Sequence, residues 1–347
     1  MKILDREISS SNRPYLIAEM SGNHNQSLDR ALEIVDAAAA NGADAIKLQT
    51  YTADTMTLNL RMPGFVIDDP KSLWAGRQLY ELYQEGHTPW EWHAPIMERA
   101  AHHGVHCFST PFDFSAVDFL ESLNVPAYKV ASFENTDLPL IRRIAMTGKP
   151  IIMSTGMATA GEIDEAVRAA HGAGCRDLVL LKCTSTYPAD AATTNIATIP
   201  HMRALFGCEV GLSDHTMGCG VSVAATAFGA TVIEKHFTLS RSNGGVDAAF
   251  SMEPHELRQL RDETERAWQC VGEVRYGPTD AEIKSLNFRR SLYIARDMKA
   301  GETLTKDNVR SVRPGFGLSA ANLDRVIGMR VQHDAKCGTP LTWDLLR

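Results

Sequence analysis

Two histidines, His215 and His236, follow short apolar runs that read as neighbouring strands with a helix between them. Because strand side chains alternate between two faces, Ser213 shares a face with His215, and Glu234 shares one with His236. If these strands are neighbours, two imidazoles and a carboxylate meet at one end of a sheet. Imidazole with oxygen ligands suits Mn, Fe, Ni or Zn. The segment therefore predicts a metal site, and the alternative is two unrelated histidines among the twelve in the chain.

Two lysines, Lys47 and Lys129, fall near the ends of other apolar runs, ADAIKLQT and PAYKVAS. A lysine there binds a phosphate or carboxylate as a point charge or forms a Schiff base, and the alternative for each is a surface or salt-bridge role. Uncharged polar groups lie at these and other strand ends: Gln49, Thr110, Ser132, Ser154, Ser185 and Ser213. Together these residues predict a pocket for a small polyanion.

Carboxylates and a phenol add proton-transfer and hydrogen-bonding groups. Glu19, Glu134 and Asp247 can move protons or hold a hydroxylated substrate, and Tyr187 can donate a hydrogen bond. A metal with open coordination positions acts as a Lewis acid on a carbonyl oxygen. A polyanion, a carbonyl and a metal in one pocket indicate carbon–carbon bond chemistry on a small metabolite, whose identity the spacing leaves open.

Strands and helices alternate along about 270 residues of the chain, from YLIAE near the N-terminus to a helix at about Pro254 to Cys270. Eight such units predict a parallel sheet that closes as a (β/α)8 TIM barrel. The alternative, an open doubly wound sheet, lacks support because no GxGxxG follows the first strand. Polar residues recur at the C-terminal ends of the strands, which is the face where barrel active sites lie.

Two regions depart from this alternation. A long polar insertion at about 52–87 contains Pro63, Gly64, Pro70 and Gly76, and such long loops are usually functional or disordered. After about Gly277 short β elements replace the helical repeats. We predict a barrel domain over 1–280, a linker over 281–287, and a small β-rich module over 288–347.

The bulk composition excludes several classes of function. A chain of 347 residues has room for one large domain and a small one. A net charge of −7 argues against nucleic-acid and anionic-membrane partners. The charged N-terminus lacks a signal-peptide core and no apolar run is long enough to cross a membrane, which predicts a cytoplasmic protein. Seven cysteines without a CxxC pair read as buried thiols.

Seven ordered motifs resemble the sialic acid synthase family, the phosphoenolpyruvate-dependent nonulosonic acid synthases. They are AEMSGNHNQSLDRALEIVDAA, ADAIKLQTYTADTM, YKVASFENTDLPLI, IIMSTGMAT, LKCTSTYP, GLSDHTMG and VIEKHFT. The C-terminal module resembles the family's antifreeze-like (SAF) domain through RRSLYIARDMKAGE, VRPGFG and IGMR. EMSGNHNQ and KLQTYTADTMTL look like the branch of the family that makes pseudaminic acid.

The resemblance implies condensation of phosphoenolpyruvate with 2,4-diacetamido-2,4,6-trideoxy-L-altropyranose and water, giving pseudaminic acid and phosphate. In the family mechanism C3 of phosphoenolpyruvate attacks a metal-activated aldehyde and phosphate leaves by C–O cleavage. The divalent metal, Mn²⁺ with Mg²⁺ or Co²⁺ as alternatives, would be held by His215 and His236. Other outcomes are an N-acetylneuraminic or legionaminic acid synthase acting on another N-acetylated sugar, a Schiff-base aldolase, or an inactive sugar-binding protein.

The resemblance also implies roles for individual residues. The phosphoenolpyruvate-binding positions are Lys47, Thr110, Lys129, Ser132, Ser154, Ser185 and Ser213, and we assign Gln49 to substrate binding as well. The positions on the sugar and proton-transfer side are Glu19, Glu134, Tyr187, Glu234 and Asp247. We expect His24 to contact the sugar. Phe288 and Arg313 match residues that the SAF domain of a partner subunit brings to the sugar, which implies a domain-swapped homodimer.

Overall fold

Eight parallel strands close into a barrel, so the predicted (β/α)8 fold is confirmed. The structure is a computed structural model that describes residues 1–347, and it comprises two units, 1–272 and 273–347. The first unit begins with a hairpin of two short strands, β1 Lys2–Ile3 and β2 Arg6–Glu7. The barrel strands are β3 Tyr15–Glu19, β4 Ala45–Thr50, β5 His106–Pro111, β6 Tyr128–Val130, β7 Ile151–Ser154, β8 Leu178–Cys183, β9 Glu209–Ser213 and β10 Val232–His236. They neighbour one another in chain order, and β10 pairs with β3 to complete the circle.

Helices follow the strands and surround the barrel. The helices of this unit are α1 Leu28–Ala40, α2 Ala53–Met56, α3 Leu79–Gly86, α4 His93–His102, α5 Phe114–Ser122, α6 Leu138–Ala145, α7 Ala160–Gly172, α8 Thr198–Phe206, α9 Gly220–Ala227 and α10 Pro254–Val271. Several begin at a side chain that satisfies free backbone N–H groups. Ser27 caps α1, Asp113 caps α5, and Thr159 with Glu162 forms a reciprocal capping box on α7.

The apolar core has two layers, as expected for a barrel that alternates its side chains inward and outward. The inner layer fills the barrel with residues such as Ile17, Phe108 and Leu181. Ile3 and Ile8 from the N-terminal hairpin region belong to this inner cluster and fill it from below. The outer layer packs the other strand faces against the helices. Many of the buried polar side chains lie at the C-terminal ends of the strands, among them Lys47, Lys129 and Glu234.

The insertion at 52–87 carries regular structure rather than a featureless loop. It contains α2 and α3, and the segment between them is tied together by backbone hydrogen bonds. Ile67 N–H donates to Arg77 O at 2.9 Å, Gly76 N–H donates to Ile67 O at 2.7 Å, and Leu79 N–H donates to Phe65 O at 2.9 Å. These bonds give the insertion a fixed backbone.

The second unit has a small core of its own. Strands β11 Ser291–Ile294 and β12 Val309–Val312 pair antiparallel, and a short helix, α11 Leu323–Val326, follows. Leu292, Leu304 and Val326 are fully buried within this unit. Residues Asp280–Phe288 form 3₁₀ turns over the stretch that we predicted as a linker. The exact domain limits stay a prediction.

Helices long and apolar enough to traverse a lipid bilayer are absent from residues 1–347.

Gly211 provides a test of how tightly the β9–β10 pair is packed. A Cβ atom there would lie 2.3 Å from Val232 O and 2.8 Å from Leu181 Cδ2, and the backbone oxygen cannot move without disturbing the strand pair. We expect Gly211→Ala to lower the free energy of unfolding by about 1–3 kcal/mol, as overpacked cores do. The measurement is chemical denaturation followed by circular dichroism.

Gly172, the last residue of α7, is the matched control because a Cβ there meets no atom within 4 Å. Gly172→Ala should be neutral or stabilise by up to about 1 kcal/mol. Equal effects of the two substitutions would contradict the proposed crowding at Gly211.

Candidate active site

His215 and His236 lie together at the C-terminal end of the barrel. Strands β9 and β10 are neighbours, with Ser213 in register with Glu234. The two imidazole ring centroids are 5.3 Å apart. The parallel pairing therefore brings the two histidines and the Glu234 carboxylate to one edge of the sheet.

A cavity of about 340 Å³ opens beside these histidines. This volume is within the range of pockets that hold small metabolites. Twelve of the residues predicted from the sequence line it: Lys47, Gln49, Lys129, Ser132, Glu134, Ser154, Tyr187, Ser213, His215, Glu234, His236 and Asp247. These twelve residues come from six different barrel strands, or from the loops that follow them, and converge on one space.

Three predicted residues of this unit lie around the cavity without lining it. Glu19 is fully buried and accepts a hydrogen bond from Gln49 Nε2 at 2.8 Å. Thr110 is fully buried and accepts a hydrogen bond from Lys47 Nζ at 3.4 Å. Ser185 Oγ lies 3.7 Å from the Cys183 sulfur. These three residues act on the cavity only through neighbours that line it.

Charged groups alternate across the floor of the cavity. Lys47 Nζ lies 2.8 Å from Glu19 Oε2 and 3.5 Å from Glu234 Oε1, and Lys129 Nζ lies 3.9 Å from Glu234 Oε1. Burial raises the pKa of Glu19 to about 7, against the opposing effect of Lys47. Burial acts in the same sense on Glu234, but the Lys129 and Lys47 ammoniums hold the pKa of Glu234 below its usual value. One carboxylate is therefore held ionised, whereas the other titrates near neutrality.

The two lysines differ in their electrostatic surroundings. Burial opposes the charge on Lys47, but the Glu19 and Glu234 carboxylates raise its pKa above the usual value. Burial lowers the pKa of Lys129 to about 8. Lys129 Nζ donates to Ser154 Oγ at 2.7 Å and to Val130 O at 3.0 Å. Two ammonium groups with hydroxyls beside them are the kind of groups that bind phosphate or carboxylate.

The imidazoles carry the features expected of metal ligands. His215 Nδ1 lies 3.0 Å from Thr184 O, so an N–H there donates to this carbonyl and leaves Nε2 with a free lone pair. His236 Nδ1 is buried without a hydrogen-bond partner, and Asp247 Oδ2 lies 3.8 Å away. Burial lowers the pKa of His236 far below its usual value, which keeps the ring neutral. No cluster of three or more His, Cys, Asp or Glu side chains forms a complete metal cage by itself.

Two further carboxyls on the cavity wall are half-buried. Burial raises the pKa of Glu134 to about 7, and one of its oxygens has no hydrogen-bond partner. Burial also raises the pKa of Asp247, which accepts a hydrogen bond from Ser21 Oγ. Glu134, which exchanges a proton near pH 7, is therefore a candidate for general acid–base work.

The prediction that His24 contacts the sugar is wrong. His24 is fully buried outside the cavity lining, and its ring packs edge-on against Trp92 at 5.5 Å. Its Nδ1 accepts from Gln26 N, and its Nε2 lies 3.3 Å from Thr88 Oγ1. Both ring nitrogens are thus used to hold the loop after β3. The residues Phe288 and Arg313 lie in the second unit, where both are exposed.

Sequence reasoning missed several residues that line the cavity. Cys183 was read only as a buried thiol. It follows Leu181 at the two-residue strand period, so alternation signalled an inward-facing side chain at the strand end. Burial raises its pKa, but the nearby His215 ring lowers the pKa of the thiol to about 6. Tyr51 and Trp74 also line the cavity, and no periodic signal marked Trp74 within the insertion.

Comparisons with known proteins agree with this architecture. Residues 34–276 match the model of the NeuB family, and residues 289–347 match that of the SAF domain. The chain is 42% identical over 333 residues to a pseudaminic acid synthase of Campylobacter jejuni, covering 96% of both chains. It is 34% identical over 317 residues to an N,N'-diacetyllegionaminic acid synthase of the same species, covering 90% of this chain and 94% of that protein.

A solved structure is similar over most of the chain. It is an N-acetylneuraminic acid synthetase from Leptospira borgpetersenii in complex with citrate, with a TM-score of 0.74 and 29% identity. The match covers 83% of this chain and 95% of that chain.

A buried ion pair lies next to both histidines in the chain. Asp214 precedes His215 and Lys235 precedes His236, and Lys235 Nζ lies 3.1 Å from Asp214 Oδ2 with both side chains at most 1% exposed. Lys235 also donates to Thr216 O at 2.6 Å and to Gly218 O at 2.9 Å. The pair therefore ties the loop that carries His215 to strand β10.

Breaking this pair should destabilise the protein strongly. We expect Lys235→Met to lower the free energy of unfolding by about 3–5 kcal/mol, because it leaves an uncompensated charge on buried Asp214. The double variant Lys235→Met/Asp214→Leu should recover part of the loss. Lys336 is the matched control, since its ion pair with Asp297 is exposed, and Lys336→Met should change stability little. Equal losses for the two lysines would contradict this account.

Proposed function

The chain belongs to the NeuB family, and from this membership and the geometry of the cavity we propose how it works as a phosphoenolpyruvate-dependent nonulosonic acid synthase. The function supported best is a transferase that makes pseudaminic acid. It condenses phosphoenolpyruvate with 2,4-diacetamido-2,4,6-trideoxy-L-altropyranose and water, and it releases phosphate. The observation that carries this proposal is the meeting of two buried lysines and two imidazoles in one cavity.

The lysine side of the cavity suits phosphoenolpyruvate. Lys47 and Lys129 supply two positive charges, and Ser154 and Ser213 supply hydroxyl groups on the lining. We assign Ser132 and Gln49 to the same substrate from their places on the lining. Thr110 and Ser185 support this site from outside the lining, through Lys47 and Cys183 respectively.

The residues present fit a divalent metal. His236 Nδ1 is a buried, unpartnered ring nitrogen, and the hydrogen bond from His215 Nδ1–H leaves its other nitrogen free. We assign His215 and His236 as the protein ligands of Mn²⁺, with Mg²⁺ or Co²⁺ as alternatives. When bound, the metal supplies Lewis-acid polarisation of the aldehyde oxygen.

The remaining steps involve proton transfer and bond exchange. C3 of phosphoenolpyruvate forms a bond to the aldehyde carbon, water adds at C2, and the C2–O bond to phosphate breaks. Glu134, whose pKa burial raises to about 7, is placed to give a proton to the former aldehyde oxygen or to take one from the water. We assign Glu234, Asp247 and Tyr187 to holding the sugar, and Glu19 to supporting Lys47.

The second unit completes the proposal. We propose that Phe288 and Arg313 contact the N-acetylated end of the sugar from the partner subunit of a domain-swapped homodimer. Both side chains are exposed in their own unit, as residues that act on another chain must be.

One observation favours a second candidate. Lys129 is buried and burial lowers its pKa to about 8, which is the environment of lysines that form Schiff bases. If the protein were a Schiff-base aldolase, borohydride would trap a covalent adduct between the substrate and the lysine. Its activity would also persist in the presence of a metal chelator. The synthase predicts no adduct and loss of activity with the chelator.

The primary test offers phosphoenolpyruvate and Mn²⁺ with several candidate sugars and follows phosphate release and product mass. We expect phosphate and pseudaminic acid from the altropyranose, with lower turnover of N-acetylmannosamine and of the legionaminic precursor. Phosphoenolpyruvate labelled with ¹⁸O at its bridging oxygen should give labelled phosphate. Label retained in the sugar product would contradict C–O cleavage.

Loss of either imidazole should abolish turnover through loss of the metal. His215→Ala and His236→Ala should weaken Mn²⁺ binding by more than about 100-fold, since loss of an outer-shell partner alone costs 10- to 100-fold. Titration calorimetry measures the metal affinity, and thermal unfolding checks the fold. His103→Ala is the control, because His103 pairs with Asp36 on the outer surface. Unchanged metal affinity in the two variants would refute the assignment.

The pKa of Lys129 also predicts a pH dependence. As pH rises through about 8, Lys129 loses the charge that holds the substrate anion, so kcat/KM for phosphoenolpyruvate should fall by about tenfold per pH unit. Lys47, with its raised pKa, stays charged over this range. Lys129→Arg, whose guanidinium does not titrate, should lack this alkaline limb. The measurement is a profile from pH 7 to 9.5, and a flat wild-type profile would contradict the role of Lys129.

A further inference from the structure

The cavity has two walls of different chemistry. Strand ends and the loops after them supply its charged and hydroxyl groups, including both lysines. The insertion at 52–87 supplies only Met56, Ile67, Trp74, Leu79, Leu82 and Tyr83 as lining side chains, together with Gly86. None of these carries a charge, and their only polar side-chain atoms are the Tyr83 hydroxyl and the Trp74 indole nitrogen. A ligand that fills the cavity therefore presents polar groups to the strand ends and apolar groups to the insertion.

Trp74 of this apolar wall packs near two aromatic rings that lie beside the imidazoles. Its ring centroid is 5.8 Å from that of Tyr187 and 6.5 Å from that of Phe250. Tyr187 in turn lies 4.5 Å from His215, and Phe250 lies 4.9 Å from His236. Trp74 is thus separated from each imidazole by a single aromatic ring, Tyr187 on the side of His215 and Phe250 on the side of His236. The indole is therefore within reach of the far carbons of a sugar whose aldehyde carbon sits at the imidazoles.

The indole is held with its polar edge already satisfied. Trp74 Nε1–H donates to Val246 O at 2.8 Å, so the ring offers the ligand an apolar surface. Backbone hydrogen bonds from Gly76 to Ile67 and from Arg77 to Trp74 fix the segment that carries it. Because the indole is held by these bonds, its surface is formed before the ligand arrives.

We propose that Trp74 is a specificity-determining residue that packs against the methyl groups at the far end of the sugar, its C6 methyl and the methyl of its C4 acetamido group. This inference rests on the proposed function. A hydroxyl at C6 would lose hydrogen bonds to water against this wall without gaining a partner. The wall therefore selects 6-deoxy diacetamido hexoses over N-acetylmannosamine, which carries hydroxyls at both positions.

The test measures selectivity between two sugars in the full-length enzyme. Steady-state kinetics with Mn²⁺ and saturating phosphoenolpyruvate are recorded for 2,4-diacetamido-2,4,6-trideoxy-L-altropyranose and for N-acetylmannosamine. Trp74→Ala should lower the ratio of their kcat/KM values by about tenfold or more, the usual scale for lost apolar contacts in a pocket. Trp74→Phe, which keeps an aromatic face, should lower the ratio less. KM for phosphoenolpyruvate, at saturating sugar, should stay within about threefold of the wild-type value.

Two further variants make the result specific. Leu82→Asn introduces an amide into the same wall and should also lower the ratio, which keeps the inference testable if Trp74→Ala does not fold. Trp268→Ala is the matched control: Trp268 is half-buried on α10, and its Nε1–H donates to Ser10 O at 3.0 Å. The control should leave the ratio unchanged.

Each outcome decides a different question. An active wild type whose selectivity survives both Trp74→Ala and Leu82→Asn would overturn the role of the wall and leave the proposed function standing. Parallel losses for both sugars would show a structural role for Trp74 and would overturn the inference likewise. A wild type that releases no phosphate with any N-acetylated sugar would overturn the proposed function and this inference with it.

Discussion

Four charged side chains share the floor of the barrel mouth with almost no access to water. The side chains of Lys47, Lys129, Glu19 and Glu234 are between 1% and 6% exposed. Charges this close interact strongly when water is excluded, so each group fixes the ionisation of the next. The set comprises two lysines and two glutamates, and a polyanionic substrate therefore adds negative charge to a site that is balanced without it. Glu19, which titrates near pH 7, can take up a proton when that charge arrives.

This arrangement depends on the parallel barrel. Glu19 is in register with Lys47 on one side and with His236 on the other, so adjacent strand ends set the spacing of the carboxylate, the ammonium and the imidazole. Lys129 comes from β6, which is not a neighbour of these strands, and reaches Glu234 only because the sheet closes. An open sheet with the same residues would separate them. Closure thus determines the electrostatics as well as the fold.

The strand content and the convergence of polar residues could be predicted because both follow from local alternation. The two-residue alternation of a strand determines which face of the sheet each side chain occupies. Parallel strands in a barrel bring their C-terminal ends together at one end. Which of the strand-end residues line the cavity was harder to predict, because residues in register on neighbouring strands differ in this respect. Gln49 lines the cavity, whereas Thr110, in register with it, does not. Lys47 and His236 line the cavity, whereas Glu19, in register with both, does not.

The predictions were poorest for residues on loops, because side chains on irregular segments do not alternate in a regular pattern along the sequence. His24 and Trp74 both lie on irregular segments near the mouth, and tertiary contacts alone send one into the protein and the other into the cavity. Strands and the insertion also differ in how precisely they must position their side chains. Catalytic groups need positions fixed to within about half an ångström, which strands provide. An apolar wall needs only shape and the absence of polar partners, so an insertion can change the sugar selected while the charged floor stays the same.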